Sequence, residues 1–163
     1  MTTWTRIGSA AAAALIFAFP AAAPDGFVRV VVAAERALSD AQLKKINGWI
    51  AEKGRTIEVS EIITDILGLT QNNETMTSRA FATRDSENAD EIHVMFILPA
   101  EKGYLEERFH QDRIEVYWAD KNLVLISALT GIRGGKPAIM SFQEAQAGFD
   151  HDLKWWAKYA ETN

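Results

Sequence analysis

Arg113-Ile114-Glu115-Val116-Tyr117-Trp118-Ala119-Asp120-Lys121-Asn122-Leu123-Val124-Leu125-Ile126-Ser127-Ala128-Leu129 is the stretch that decides the fold. Ile114, Val116 and Trp118 alternate with Arg113, Glu115 and Tyr117, a period of two that sends the first set inward and the second outward from a strand. Ala119-Asp120-Lys121-Asn122 has turn chemistry. Residues 123–129 are apolar on both faces apart from Ser127, as in a central strand. Residues 113–118 and 123–129 therefore read as a β-hairpin.

The same period appears upstream. In residues 91–98, Ile92, Val94, Phe96 and Leu98 share one face and His93, Met95 and Ile97 the other, and Pro99 ends the run. Residues 79–84 alternate more weakly. Residues 70–78 read as a polar loop, and 104–111 as a connector, either a short helix or a loop. Helices flank these strands. Ser39 and Gln42 have capping-box spacing, Leu43, Ile46 and Ile50 recur at helical intervals, and Gly54 stops the helix. Ser60 opens a short apolar helix through Ile62, Ile63, Ile66 and Leu67, closed by Gly68. Downstream, Gly131-Ile132-Arg133-Gly134-Gly135-Lys136-Pro137 is a glycine loop. Ser141 and Glu144 then form a capping box for a helix with Phe142, Ala145, Phe149, Leu153, Trp156 and Ala160 on one stripe. The expected architecture is α+β: an antiparallel sheet of about four strands with N-terminal helices and a long C-terminal helix packed on it. This order, with the Gly134-Gly135 turn leading into the last helix, resembles the secretion-chaperone-like fold, including YbjN-type proteins, over residues 60–160. The resemblance implies a fold and transfers no functional residue.

The first 23 residues carry a different signal. Arg6 is their one charge, an Ala-rich run spans residues 7–19, and Pro20 and Ala21-Ala22-Ala23 follow. This is the pattern of a secretory signal peptide. The run falls short of the ~20 residues that span a bilayer. Cleavage is expected at Ala23 or as late as Ala34, and residues 27–34 read either as a first strand or as the tail of the leader. The remaining chain, 35–163, reads as one exported domain, periplasmic or extracellular, with no stable membrane span after processing.

Composition narrows the partners. The 163 residues carry a formal net charge of −5, which argues against nucleic acid. The absence of cysteine excludes disulfides, thiolate metal sites and a cysteine nucleophile. No complete cofactor or metal motif is present. Gly131 to Lys136 lacks the spacing and the Ser or Thr of a phosphate-binding loop, and reads as a turn whose Arg133 and Lys136 can grip an anion. Glu106 and His110 share a face if their segment is helical, but two ligands do not make a zinc site. Asp150-His151-Asp152 reads as a polar helix face, because neighbours on a helix diverge by about 100°.

Two sets of residues bear on function. His93, with Glu115 or Tyr117 nearby, is the candidate set for a small hydrolase, since a carboxylate can orient a histidine base. Trp155 and Tyr159, one turn apart and off the core stripe of the last helix, with Trp49 off the stripe of the first, form a candidate aromatic contact surface. With no catalytic motif in view, the sequence reads first as a non-enzymatic binding protein for a protein or a small apolar ligand. A subunit of an envelope or secretion-related complex and the His93 hydrolase are the alternatives.

Overall fold

The structure, a computed structural model, describes residues 37–69, 76–132 and 135–163. The expected leader, the Ala23 and Ala34 cleavage alternatives, residues 27–34 and Arg133 lie outside the described residues.

Ten elements follow in order: α1 (Asp40–Lys53), β1 (Arg55–Val59), α2 (Glu61–Ile66), β2 (Met76–Arg84), β3 (Ile92–Ile97), β4 (Tyr104–Phe109), β5 (Arg113–Ala119), β6 (Leu125–Ile132), β7 (Ala138–Ile139) and α3 (Phe142–Thr162). The strands form one sheet of seven, each hydrogen-bonded to its sequence neighbour and every pair antiparallel. This corrects the expected sheet of about four strands beneath a dominant C-terminal helix. β1 stands between the two N-terminal helices, and β7 adds a short edge. β4 occupies the segment read as a connector. Its Glu106-Glu107-Arg108 run conceals a strand because both of its faces are covered, and charge on a covered face does not register as apolar alternation.

α1 and α3 lie together on one face. Ile46 and Ile50 of α1 and Ala145, Phe149, Leu153, Trp156 and Ala160 of α3 meet Met95, Tyr117 and Ala128 of the sheet in one cluster. The Ser39 capping box is formed, and Arg79 of β2 closes the other end of α1 by donating to the carbonyls of Ile50 and Ala51 at 2.8 and 2.7 Å. The face expected to point outward from β5 is the one these helices cover, so Tyr117 is fully buried. Phe142, expected on the core stripe of α3, is exposed.

The other face carries a second cluster, with Val59, Ala80, Val94, Phe96, Leu105, Val116 and Leu129 packed against Leu67 and Leu69 beyond α2. Glu107 sits in the middle of it, between Val94 and Val116 on the neighbouring strands, and is 6% exposed. Burial pushes its carboxyl up to about 7.

Two glycines are fixed by geometry. Gly103, at φ +97°, turns the chain into β4 and accepts the Leu98 amide. Gly148 of α3 lies against the Tyr117 hydroxyl, where a Cβ would overlap the phenol oxygen. Gly148→Ala should therefore cost about 1–3 kcal/mol in urea unfolding. Gly48→Ala in α1, where a Cβ meets nothing within 4 Å, should instead add roughly 0.5–1 kcal/mol. Equal effects of the two changes would show that the α3–Tyr117 contact is not tight.

Glu107 supplies a pH prediction. An acid whose pKa is raised by folding binds more protons folded than unfolded, so its contribution is complete below its unfolded value and is lost as pH rises through about 7, by at most about 3 kcal/mol. Urea titrations between about pH 5 and 8 should show Glu107→Gln gaining on the parent as pH rises. A gap independent of pH would refute the assignment.

Candidate functional site

The helix-covered face of the sheet carries a polar row. Strand register places Thr83, His93, Arg108, Glu115 and Thr130 side by side across β2 to β6. The next row along the same face is Phe81, Met95, Glu106, Tyr117 and Ala128. Cross-strand neighbours on one face stand about 4.5–5.5 Å apart at Cβ, so such rows bring side chains into contact. α3 lays Asp152, Trp155 and Trp156 over them.

Arg108 is the hub. Its Nη1 donates to Asp152 Oδ1 at 2.6 Å, its Nε lies 2.9 Å from His110 Nε2, and Glu115 Oε2 and Glu91 Oε2 lie 3.5 and 3.7 Å from Nε. His110 reaches Glu115 at 3.2 Å and Glu91 at 3.4 Å. Burial opposes ionisation of Glu115, but the His110 hydrogen bond and the Arg108 charge outweigh it and hold its pKa below the usual carboxylate range. Tyr117 donates to Glu115 Oε2 at 3.4 Å, and burial, seconded by the Glu115 charge, pushes its phenol far up, so it remains a donor.

Glu106 and Asp152 are both fully buried and hydrogen-bond to each other. Two carboxyl groups in contact require a proton between them. Glu106 Oε1 accepts from Trp156 Nε1 and faces His93 Nδ1, each at 3.3 Å, and Asp152 Oδ1 accepts from Arg108. Among the described residues Glu106 Oε2 and Asp152 Oδ2 accept no hydrogen bond from a donor group. Burial raises both pKa values, and the guanidinium 2.6 Å from Asp152 opposes the rise there.

His93 is 1% exposed. Its ring stacks on Trp155 with centroids 3.8 Å apart and planes 10° from parallel. Burial, with Arg108 acting in the same direction, lowers its pKa, so the ring is neutral and carries its proton on Nδ1, toward Glu106. Among the described residues Nε2 has no hydrogen-bond partner.

The predicted residues are distributed as follows. His93 pairs with Glu106, while Glu115 and Tyr117 pair with each other and with the Arg108 hub, so no hydrogen bond joins His93 to the carboxylate and phenol expected beside it. Trp155, Tyr159 and Trp49 converge: Trp155 stacks on Tyr159 at 5.3 Å, and Trp49 meets Tyr159 edge-on at 5.3 Å. All three are partly buried, with Trp155 Nε1 donating to Asp85 Oδ2 at 2.8 Å and Thr83 Oγ1 donating to the Tyr159 hydroxyl at 3.2 Å. Lys136 is exposed. Asp152 corrects the reading of 150–152 as a polar helix face, because it points into the core. Sequence reasoning missed Arg108, Asp152, Glu91 and Asp85. Asp152 had a signal, lying three residues after Phe149 and four before Trp156, on the apolar stripe.

A shallow cavity of about 170 Å³ opens beside this cluster, where Trp155, Lys158, Tyr159 and Asn163 of the α3 end face Asp85 and Glu87 of the β2–β3 loop. Among the described residues no helix is long and apolar enough to cross a membrane. Compared with protein-family models, curated proteins and solved structures, the chain shows no match.

Removing one partner of a buried ion pair strands the other, so Asp152→Ala should cost about 3–5 kcal/mol in urea unfolding. Adding Arg108→Met to Asp152→Ala should recover part of that loss, as coupled neighbours do. A single-variant cost near that of an exposed pair, about 0.5 kcal/mol, would remove Arg108 from the role of hub.

Proposed function

We propose that this protein is a non-enzymatic binding protein that acts after export and contacts another protein through the aromatic ledge at the end of α3. The observation that carries the reading is the cavity where Trp155 and Tyr159 meet solvent. At about 170 Å³ it is smaller than the ~300–1,000 Å³ of pockets that enclose whole small molecules, and it has room for one inserted side chain. Partly exposed tryptophan and tyrosine are the residues that most often anchor protein contacts. Asp85, Glu87 and Lys158 rim the cavity, with Lys158 paired to Glu87 at 2.7 Å, which leaves the aromatic wall to favour an apolar side chain on the partner. Export is supported by the leader-like composition of residues 1–23. The buried cluster supports binding over hydrolysis, since His93, Glu106 and Asp152 are sealed beneath α3 and engaged with one another or with Arg108.

A photoreactive benzophenone side chain placed at Thr162, on the cavity rim, tests this in the cells that make the protein. Illumination should yield one discrete cross-linked species, which disappears when Tyr159→Ala is added with folding unchanged by circular dichroism. The same probe at Glu101, in the β3–β4 turn, should yield none. Absence of a cross-link from position 162, or one that survives Tyr159→Ala, contradicts the reading.

A further inference from the structure

Asp85, Glu91 and His93 bring one ligand-type atom each to within 4.8 Å of one another. Two carboxylates near a histidine do not by themselves make a site. The second observation is His93 itself, which is 1% exposed with Nε2 unpartnered and turned toward this group, 4.0 Å from Glu91 Oε2. A buried ring nitrogen without a partner is costly unless its lone pair is used.

We propose that Asp85, Glu91 and His93 form a binding site for a divalent metal ion of the zinc type. One imidazole nitrogen and two carboxylate oxygens are borderline ligands, suited to Zn²⁺ or Co²⁺, and three protein ligands leave a further position for water. The surroundings are those of a supported metal ligand. Glu106 Oε1 faces the Nδ1 side of His93 at 3.3 Å, and an Nδ1–H donated to it leaves the lone pair on Nε2, as oxygen acceptors behind metal-bound histidines do. Trp155 stacks on the ring and holds its plane. The Trp155 indole N–H and the amides of Glu87 and Asn88 orient the Asp85 carboxylate at 2.8, 2.7 and 3.1 Å.

Charge points the same way. Arg108 and Arg113 are two positive charges against three negative charges on Glu91, Glu115 and Asp152, and Asp85 adds a further carboxylate at the rim. Asn88 Nδ2 donates to Glu91 Oε1 at 2.8 Å and His110 lies 3.4 Å from the same oxygen, so a bound ion takes Oε2, where it competes only with Arg108 at 3.7 Å. Closing the three atoms onto an ion with bonds of about 2.0–2.2 Å requires Glu91, 21% exposed and at the end of the loop, to rotate inward by roughly 1 Å. The spacing is legible in retrospect: Glu91 and His93 are two apart and share a strand face, and Asp85 stands at the opposite root of the same hairpin.

The site does not depend on the protein-contact reading above. Its test is calorimetric titration of the metal-stripped full chain with Zn²⁺, followed by nitrogen-15 spectra of its three histidines, His93, His110 and His151. One Zn²⁺ per chain should bind, with affinity reduced at least about tenfold by Glu91→Gln and unchanged by Glu101→Gln at the far turn. In the unsubstituted protein Zn²⁺ should move the Nε2 resonance of His93 and leave Nδ1 protonated, a readout that does not require a variant to fold. Co²⁺ should shift the Trp155 indole N–H. Absence of saturable binding, equal affinity in Glu91→Gln, or a response confined to His110 or His151 overturns the proposal.

Discussion

The contact between Arg108 and Asp152, 2.6 Å long and covered by α3, is the constraint on which the rest of the helix-covered layer depends. A guanidinium placed mid-sheet cannot be left without a carboxylate, and a carboxylate on the apolar stripe of a helix cannot be left without a cation. Each makes the other tolerable, and together they fix both the rotation of α3 about its axis and its position along the sheet. Once that is set, Gly148 falls over Tyr117, Trp156 reaches Glu106, and Trp155 lies on His93. Apolar packing alone tolerates sliding, whereas a short ion pair flanked by a shared proton defines one arrangement.

The sequence was most readable where physics acts locally. The capping box at Ser39, the Ser141 N-cap, the Gly54 stop, the β5–β6 hairpin and the alternation of β3 are encoded within a few residues of where they operate. β4 was not readable, because its charges are satisfied by residues from β3, β5 and α3, and nothing in 104–109 announces those partners. β1 was missed for a different reason: it is a short exposed edge, with Arg55, Thr56, Ile57 and Glu58 all facing solvent, so burial never patterned it. The candidate site shows the same division. His93 drew attention as a histidine on a strand, but its partner could be identified only once register set Arg108 beside it and placed Glu106 one row along.

The buried cluster and the aromatic ledge are joined through a single residue. Trp155 stacks on His93, stacks again on Tyr159 at the cavity, and donates to Asp85 on the loop. Both Asp85 and His93, the residues that would hold an ion, therefore contact the same indole that walls the proposed contact surface. The two proposals are separate in their evidence but adjacent in space.

The strand order has a consequence for how the molecule assembles. From β2 to β6 each strand pairs with the next across a short connection, so that part of the sheet can zip from hairpin to hairpin without closing a long loop, the kind of topology in which local contacts form quickly. α3 follows all seven strands in sequence. Until it docks, Arg108, Glu106 and His93 stand on a half-built sheet with water over them, at little electrostatic penalty. Dehydration of that polar row is thus deferred to the final association, when Asp152 arrives with the helix that expels the water. A chain truncated before α3 keeps every strand pairing it needs and lacks the carboxylate that makes burying the row tolerable.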